Sequence, residues 1–440
     1  MRLILLSSLQ LFGEHSRCVG LGRSLRFNLC YFLGGDSSVR RFVWSGQWIL
    51  NLHGICSAFV DVIIFLSLIS IPTFSAWAKS ARPKPDVVAY VFKRNDVIQP
   101  GEIAANKVTR INYAFALIKE GKIVNGYRND DQNLAALVGL KKENPALTVL
   151  ISIGGWLGSG NFSDVALSRQ SRSRFIESVV QYVDLHQLDG VDIDWEYPGL
   201  IGAGNRFRPE DKQNYTALLK DLRKSFDKHE KEIHRRLFLT IATGAQSDFL
   251  ANTEMGKVQK YVDTVNLMAY DYYEPSSDKV TGHHAPLFSN RSDPKKVSAD
   301  ASVREYEQAG VPAGKLLLGV PFYGQVWGGV DDVDHGLYRP GTKLANSFAR
   351  YGNIVGSMTN HGFTRYWDAE ASAPYLYNAE QKTFVSYEDS ESLALKCKYV
   401  LEHKLGGVMF WDYSADPSGT LLDAVDQWLW TSSSSLTSAK

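Results

Sequence analysis

Eight short runs rich in β-branched and aliphatic residues recur along the chain, at residues 86–92, 108–115, 147–153, 190–195, 238–243, 265–268, 316–322 and 406–411. Between them lie stretches with helical spacing, such as 133–142, 173–185 and 209–230, and a last one at 421–430. In 209–230 the stripe is Tyr215, Leu218, Leu219 and Leu222. Strands that alternate with helices imply a parallel sheet buried on both faces. Eight such units predict an α/β protein with a closed (β/α)8 TIM barrel rather than an open sheet.

The rhythm breaks once, after the seventh strand. From 324 to 389 there is no long helix, only short aromatic and β-branched runs at 362–366 and 382–387 with turn residues between. This predicts a small α+β insertion between strand 7 and helix 7. Asp389 is placed to cap the helix 390–402 that resumes the barrel. The expected organisation is a leader at 1–78, a catalytic barrel at 79–430 carrying the insertion at 324–389, and a polar tail at 431–440.

The fourth run is Asp189-Gly190-Val191-Asp192-Ile193-Asp194-Trp195-Glu196-Tyr197-Pro198. On a strand, Asp192, Asp194 and Glu196 point to one side, and Val191, Ile193 and Trp195 to the other. Three carboxylates in one small volume repel, and sharing protons raises at least one pKa toward that of a general acid. Glu196, nearest the open C-terminal end, is the candidate acid. A solvated acidic loop or a hard-metal site would not need the interleaved Val, Ile and Trp.

Active-site residues of such a barrel sit at the C-terminal strand ends. Those positions hold Tyr90, Phe115, Gly155, Trp156, Tyr197, Met268, Tyr270, Asp271, Tyr323 and Trp411 around the acidic row, with Trp327 at the start of the insertion. They are acids, phenols and indoles without a nucleophilic Ser or Cys. No strand leads into a dinucleotide or phosphate loop, and the His283-His284 pair has no partner at ligand spacing, so no cofactor and no metal are expected. The formal net charge of +1 steers the chain to neither nucleic acid nor anionic membrane. Ten Trp and 21 Tyr suit a partner with flat apolar faces, sugar rings among them.

Arg40 and Arg41 precede an apolar run at 62–78 that ends Ala76-Trp77-Ala78 before Lys79, the order of an export signal with its cleavage site. This predicts a secreted protein, periplasmic or extracellular, with no stable membrane association once the leader is removed. If retained, the run is near the lower length limit for a membrane anchor. Cys18, Cys30 and Cys56 precede the expected cleavage point and only Cys397 follows it, so a chain starting at Lys79 has no internal disulfide. Asn161, Asn214 and Asn290 open glycosylation-type triplets.

The segment from Asp189 to Glu196 resembles the DxxDxDxE signature of family 18 glycoside hydrolases, the chitinases. Ser152-Ile153-Gly154-Gly155 is similar to their SxGG motif, Met268-Ala269-Tyr270-Asp271 to their sixth-strand motif, and Trp411 to the tryptophan that ends their eighth strand. The insertion resembles that of the subgroup with a deep cleft. The resemblance implies hydrolysis of β-1,4 links in chitin or chitooligosaccharides, with retention and by substrate assistance. It implies Glu196 as the acid, Asp194 as orienter of the substrate acetamido group, Asp192 as Asp194's proton partner and Tyr270 as a donor to the acetamido carbonyl. It also makes Trp411 the floor beneath the sugar, and Trp156 a platform on the leaving-group side. A glycan-binding module without turnover, and an endo-acting glycosidase on protein N-glycans, are the competing readings.

Overall fold

A computed structural model describes residues 84–431. The expected leader and almost all of the polar tail lie outside the described residues. Eight parallel strands close on themselves: β1 (Asp86–Phe92), β2 (Arg110–Lys119), β4 (Thr148–Gly154), β5 (Gly190–Asp194), β6 (Phe238–Gly244), β7 (Thr264–Met268), β8 (Leu316–Pro321) and β14 (Gly407–Trp411). Closure is the pairing of β1 with both β2 and β14. One strand outside the rhythm, β3 (Lys122–Asn125), folds back antiparallel on the end of β2.

The helices follow from local sequence. The helix Arg169–Leu185 starts at a capping box in which Ser168 accepts from the Ser171 amide, and it buries Phe175, Ile176, Val179 and Val183. The helix Asp211–Ile233 buries the expected stripe Tyr215, Leu218, Leu219 and Leu222, with Phe226 a turn further on. Each such side chain contributes roughly 1.5–3 kcal/mol when taken from water. Against this layer β5 turns Val191, Ile193 and Trp195, all buried. Trp195 stacks on Phe162 at 5.3 Å and meets Tyr215 edge-on at 5.7 Å. That contact fixes the register of β5, and Asp192, Asp194 and Glu196 are therefore sent into the barrel.

The insertion is a five-stranded antiparallel sheet in the order β10 (Thr342–Arg350), β9 (Tyr323–Gly328), β13 (Thr383–Ser386), β12 (Ala373–Asn378), β11 (Thr364–Asp368). A helix, Tyr351–Ser357, packs with it. Asp389 caps the helix Ser390–Glu402 by accepting from the Glu391 and Ser392 amides, as expected. Cys397 is buried and unpaired. The side-chain amides of the glycosylation-type triplets are engaged or inward: Asn161 donates to the Ile118 carbonyl at 2.7 Å, Asn290 to Asp368 at 2.7 Å, and the Asn214 amide nitrogen is buried. Among the described residues no helix is long and apolar enough to cross a membrane.

Candidate active site

The C-terminal ends of the barrel strands open into a cavity of about 420 Å³. Its walls include Asp194 and Glu196 with Tyr90, Phe115, Trp156, Tyr197, Met268, Tyr270, Asp271, Tyr323 and Trp411.

Asp192 lies beneath this cavity and is fully buried. Its Oδ2 accepts from Tyr90 Oη at 2.9 Å and Ser152 Oγ at 2.8 Å, and its Oδ1 from Thr240 Oγ1 at 2.6 Å and Asn266 Nδ2 at 3.1 Å. Four donors and no acceptor are the surroundings of a carboxylate anion. Burial pushes its pKa up, and the bonds from Thr240, Ser152 and Tyr90 and the charge of Arg110 oppose that push. Asp194 has no such support: its Oδ1 is buried without a partner. Burial, then the charges of Glu196 and Asp192, hold Asp194 well above the carboxylate range. Both carboxyls are raised by burial, and Asp194, without the donors that surround Asp192, is raised the further.

Glu196 is held by its backbone, the amide donating to Ser159 Oγ at 2.9 Å and the carbonyl accepting from Asn205 Nδ2 at 2.8 Å. Burial raises its carboxyl to about 7, with Asp271 and Glu274 adding to the shift and a bond with Tyr197 opposing it. It is thus an acid poised near neutrality. The Tyr270 hydroxyl meets only the weakly accepting Met409 sulfur, at 4.0 Å, and can turn to an incoming carbonyl. Asp271 is pinned by Tyr323 Oη at 2.6 Å and Gln325 Nε2 at 2.9 Å. Trp411 lies at the floor, stacked on Phe115 at 5.5 Å, and Trp156 stands half-exposed at the rim, edge-on to Tyr197 at 6.4 Å.

A cleft with a raised Glu196 at its wall, the buried Asp192 and Asp194 beside it and an aromatic floor suits the breaking of a glycosidic bond. The comparisons agree. The sequence profile of glycosyl hydrolases family 18 matches residues 75–416. The chain belongs to glycosyl hydrolase family 18. It is 41% identical over 304 residues to chitinase A1 of Niallia circulans, covering 66% of this chain and 43% of that protein. It is 31% identical over 334 residues to chitotriosidase-1 of Mus musculus, covering 72% of this chain and 69% of that one. The solved structure of a family 18 N-acetylglucosaminidase from Paenibacillus barengoltzii superposes with a TM-score of 0.72 at 40% identity, covering 78% of this chain and 99% of that chain.

Besides Asp192, two expected site residues, Trp327 and Gly155, put no side chain on the cavity wall. Trp327 is fully buried in the insertion, packed on Phe384 at 5.9 Å and under the backbone at Gly341, so it is a core residue and not a platform in the cleft. The insertion sheet instead presents Phe348, half-exposed, lining the cavity and stacked at 4.5 Å on Tyr323, which lines it too. Gly155 acts through its missing side chain: a Cβ there would stand 2.5 Å from the Phe115 ring. At Gly154, with φ of +110°, a Cβ would stand 2.2 Å from the Asp194 carbonyl oxygen. These two glycines let the strand ends close up beneath the cleft.

The sequence reading also missed Ala242, Gly244, Ala245, Gln246, Glu274, Gln325 and Phe348 on the cavity wall. Gln325 was available from the two-residue period starting at Tyr323. Glu274, whose carboxyl is raised to about 7 by burial and by Asp271 and Asp278, follows the sixth-strand motif by three residues and had no pattern to mark it.

Proposed function

We propose that the chain hydrolyses β-1,4 links between N-acetylglucosamine units in chitin or its oligomers, with retention and with the substrate's own acetamido oxygen as nucleophile. Glu196 protonates the leaving oxygen. The acetamido oxygen attacks the anomeric carbon and gives an oxazolinium ion, which water then opens with Glu196 as base. Asp194, protonated at rest, turns its carboxyl to the acetamido N–H while Asp192 takes up the proton, so the negative charge moves beside the forming cation. Tyr270 donates to the acetamido carbonyl and holds its angle of attack. Trp411 carries the distorted sugar, and Trp156 extends the platform toward the leaving group.

The observation that carries this reading is the unpartnered Asp194 Oδ1 between Asp192, which four donors surround, and a raised Glu196. One acid is present with supporting carboxyls, and the nucleophile is left to the substrate. Product analysis on N-acetylglucosamine oligomers of defined length, with Glu196→Gln as control, tests it: shorter oligomers from the wild type and none from the variant are expected. Cleavage confined to high-mannose glycoprotein would sink the chitin reading. A second reading, release of single sugars, is supported by the likeness to the Paenibacillus barengoltzii N-acetylglucosaminidase, and the product ladder separates the two. The run at 62–78 is read as an export signal, and an intact mass beginning before Lys79 in the secreted protein would contradict that.

A further inference from the structure

A line of hydrogen bonds runs down the barrel interior from Asp192 to the opposite end of the sheet. Asn266 Nδ2 donates to Asp192 Oδ1 at 3.1 Å, and Asn266 Oδ1 lies 3.5 Å from Thr264 Oγ1. Thr264 Oγ1 accepts from Arg110 Nη1 at 2.9 Å, and Arg110 Nη2 donates to Asp86 Oδ2 at 3.2 Å, where β1 begins. Arg110 is buried at 4% exposure, with its guanidinium over the Phe238 ring. None of Arg110, Thr264 and Asn266 is on the cavity wall.

The line has a direction. Arginine only donates. Thr264 must therefore meet Arg110 with a lone pair, which leaves its proton for Asn266 Oδ1. That in turn aims the Asn266 amide nitrogen at Asp192 and at Tyr90 Oη, 2.9 Å away. Tyr90, accepting from Asn266, spends its own proton on Asp192 Oδ2.

We infer that Arg110 is a positioning residue for the Asp192–Asp194 pair, orienting Thr264, Asn266 and Tyr90 as donors so that Asp192 stays anionic and Asp194 holds the proton. The inference rests on the glycosidase reading above. Without Arg110, Thr264 can turn its proton away and Asn266 can flip, setting its oxygen against Asp192. Losing a donor and a nearby cation both favour the protonated carboxyl. The other titratable groups facing Asp192 are Tyr90 from β1, Asp194 along β5, Tyr215 from the helix after it and Tyr270 beyond β7, while Asp86 partly offsets Arg110. Arg110 is the cation among them.

The test is the pH profile of kcat on an N-acetylglucosamine oligomer for the wild type, Arg110→Met, Arg110→Lys and Thr264→Val, each checked for folding by thermal melt. Arg110→Met is expected to move the acid limb of kcat upward by about half a pH unit or more. Its optimal kcat should fall roughly tenfold while KM changes little. Arg110→Lys, which keeps the charge, should recover most of the shift. Thr264→Val, which breaks the line without removing charge, should shift the limb the same way by less, and it decides the matter if Arg110→Met fails to fold. A folded Arg110→Met, or Thr264→Val in its stead, with the wild-type acid limb and kcat overturns the inference. Wild-type turnover with unshifted variants defeats this inference alone, whereas a wild type inactive on every such oligomer defeats the glycosidase reading and this inference with it.

Discussion

The two faces of the same eight strands carry opposite chemistry. Outward, Val191 and Ile193 of β5 and Trp195 just beyond it join one continuous apolar layer with the helices, among them Phe175, Tyr215, Leu219 and Phe226. Inward, the buried apolar cluster shrinks to Val88, Tyr90, Ala114, Leu317 and Met409. The rest of the lumen face includes the acid row that begins on β5 and the hydroxyls, amide and guanidinium that support it from other strands. Stability resides in the outer layer and chemistry in the lumen. The outer layer is what makes the lumen tolerable, because burying Asp192 and Asp194 costs free energy that the apolar layer offsets. Substitutions on the two faces should therefore fail in different ways.

The largest effect should come from the lumen. Glu196→Gln removes the proton donor while keeping size, so kcat should fall by ~10²- to 10⁴-fold or more with little change in KM. Asp194→Asn should be comparably severe, since it removes the proton exchange with Asp192. Steady-state kinetics on a soluble oligomer check both, and an Asp194→Asn enzyme with near wild-type kcat would break the contrast. On the outer face, Leu219→Ala should lower stability by about 2–5 kcal/mol in denaturant unfolding and leave kcat per folded molecule near wild type.

Two aromatics sharpen the division within the insertion. Trp327→Ala should destabilise by about 3–5 kcal/mol, as truncation of a buried aromatic does. Phe348→Ala should leave the melt nearly unchanged and weaken oligomer binding by roughly 1–3 kcal/mol. The reverse pattern, measured by melts and binding titration, would return Trp327 to the cleft.

The lumen should also show itself in a pH dependence of stability. Glu196 has a folded pKa of about 7 against an ordinary 4.5. A carboxyl raised on folding favours the protonated state, so its contribution is complete below about 4.5 and is lost as pH rises through about 7. Glu196→Gln cannot ionise and should lose none of it. The thermal midpoint of the variant relative to the wild type should rise between these two pH values and level off above. A constant difference across that range would mean that Glu196 titrates normally.

The barrel was legible because a strand buried on both faces needs an apolar run of 4–8 residues, and eight such runs stand between helical stretches. The acid row was legible for the same reason: alternation on β5 assigns each residue a face. The insertion was harder, because antiparallel strands such as β10 carry mixed polar sequence, with Leu344 and Phe348 exposed. Trp327 and Phe348 show the limit. A sequence marks an aromatic residue, but whether it lies on a wall or in a core depends on which strand covers it. Ala242 and Gly244 were invisible because they form the cavity by being small.

In the proposed reaction the nucleophile belongs to the substrate. The most direct measurement compares initial turnover of a β-1,4-linked N-acetylglucosamine oligomer with that of the same oligomer stripped of every N-acetyl group, using one preparation of the enzyme. Hydrolysis of the first and negligible hydrolysis of the second are expected, since Asp194 and Tyr270 then have no acetamido group to hold and no oxygen is placed to attack. Comparable rates on the two would contradict it, even if Glu196 proved essential for both.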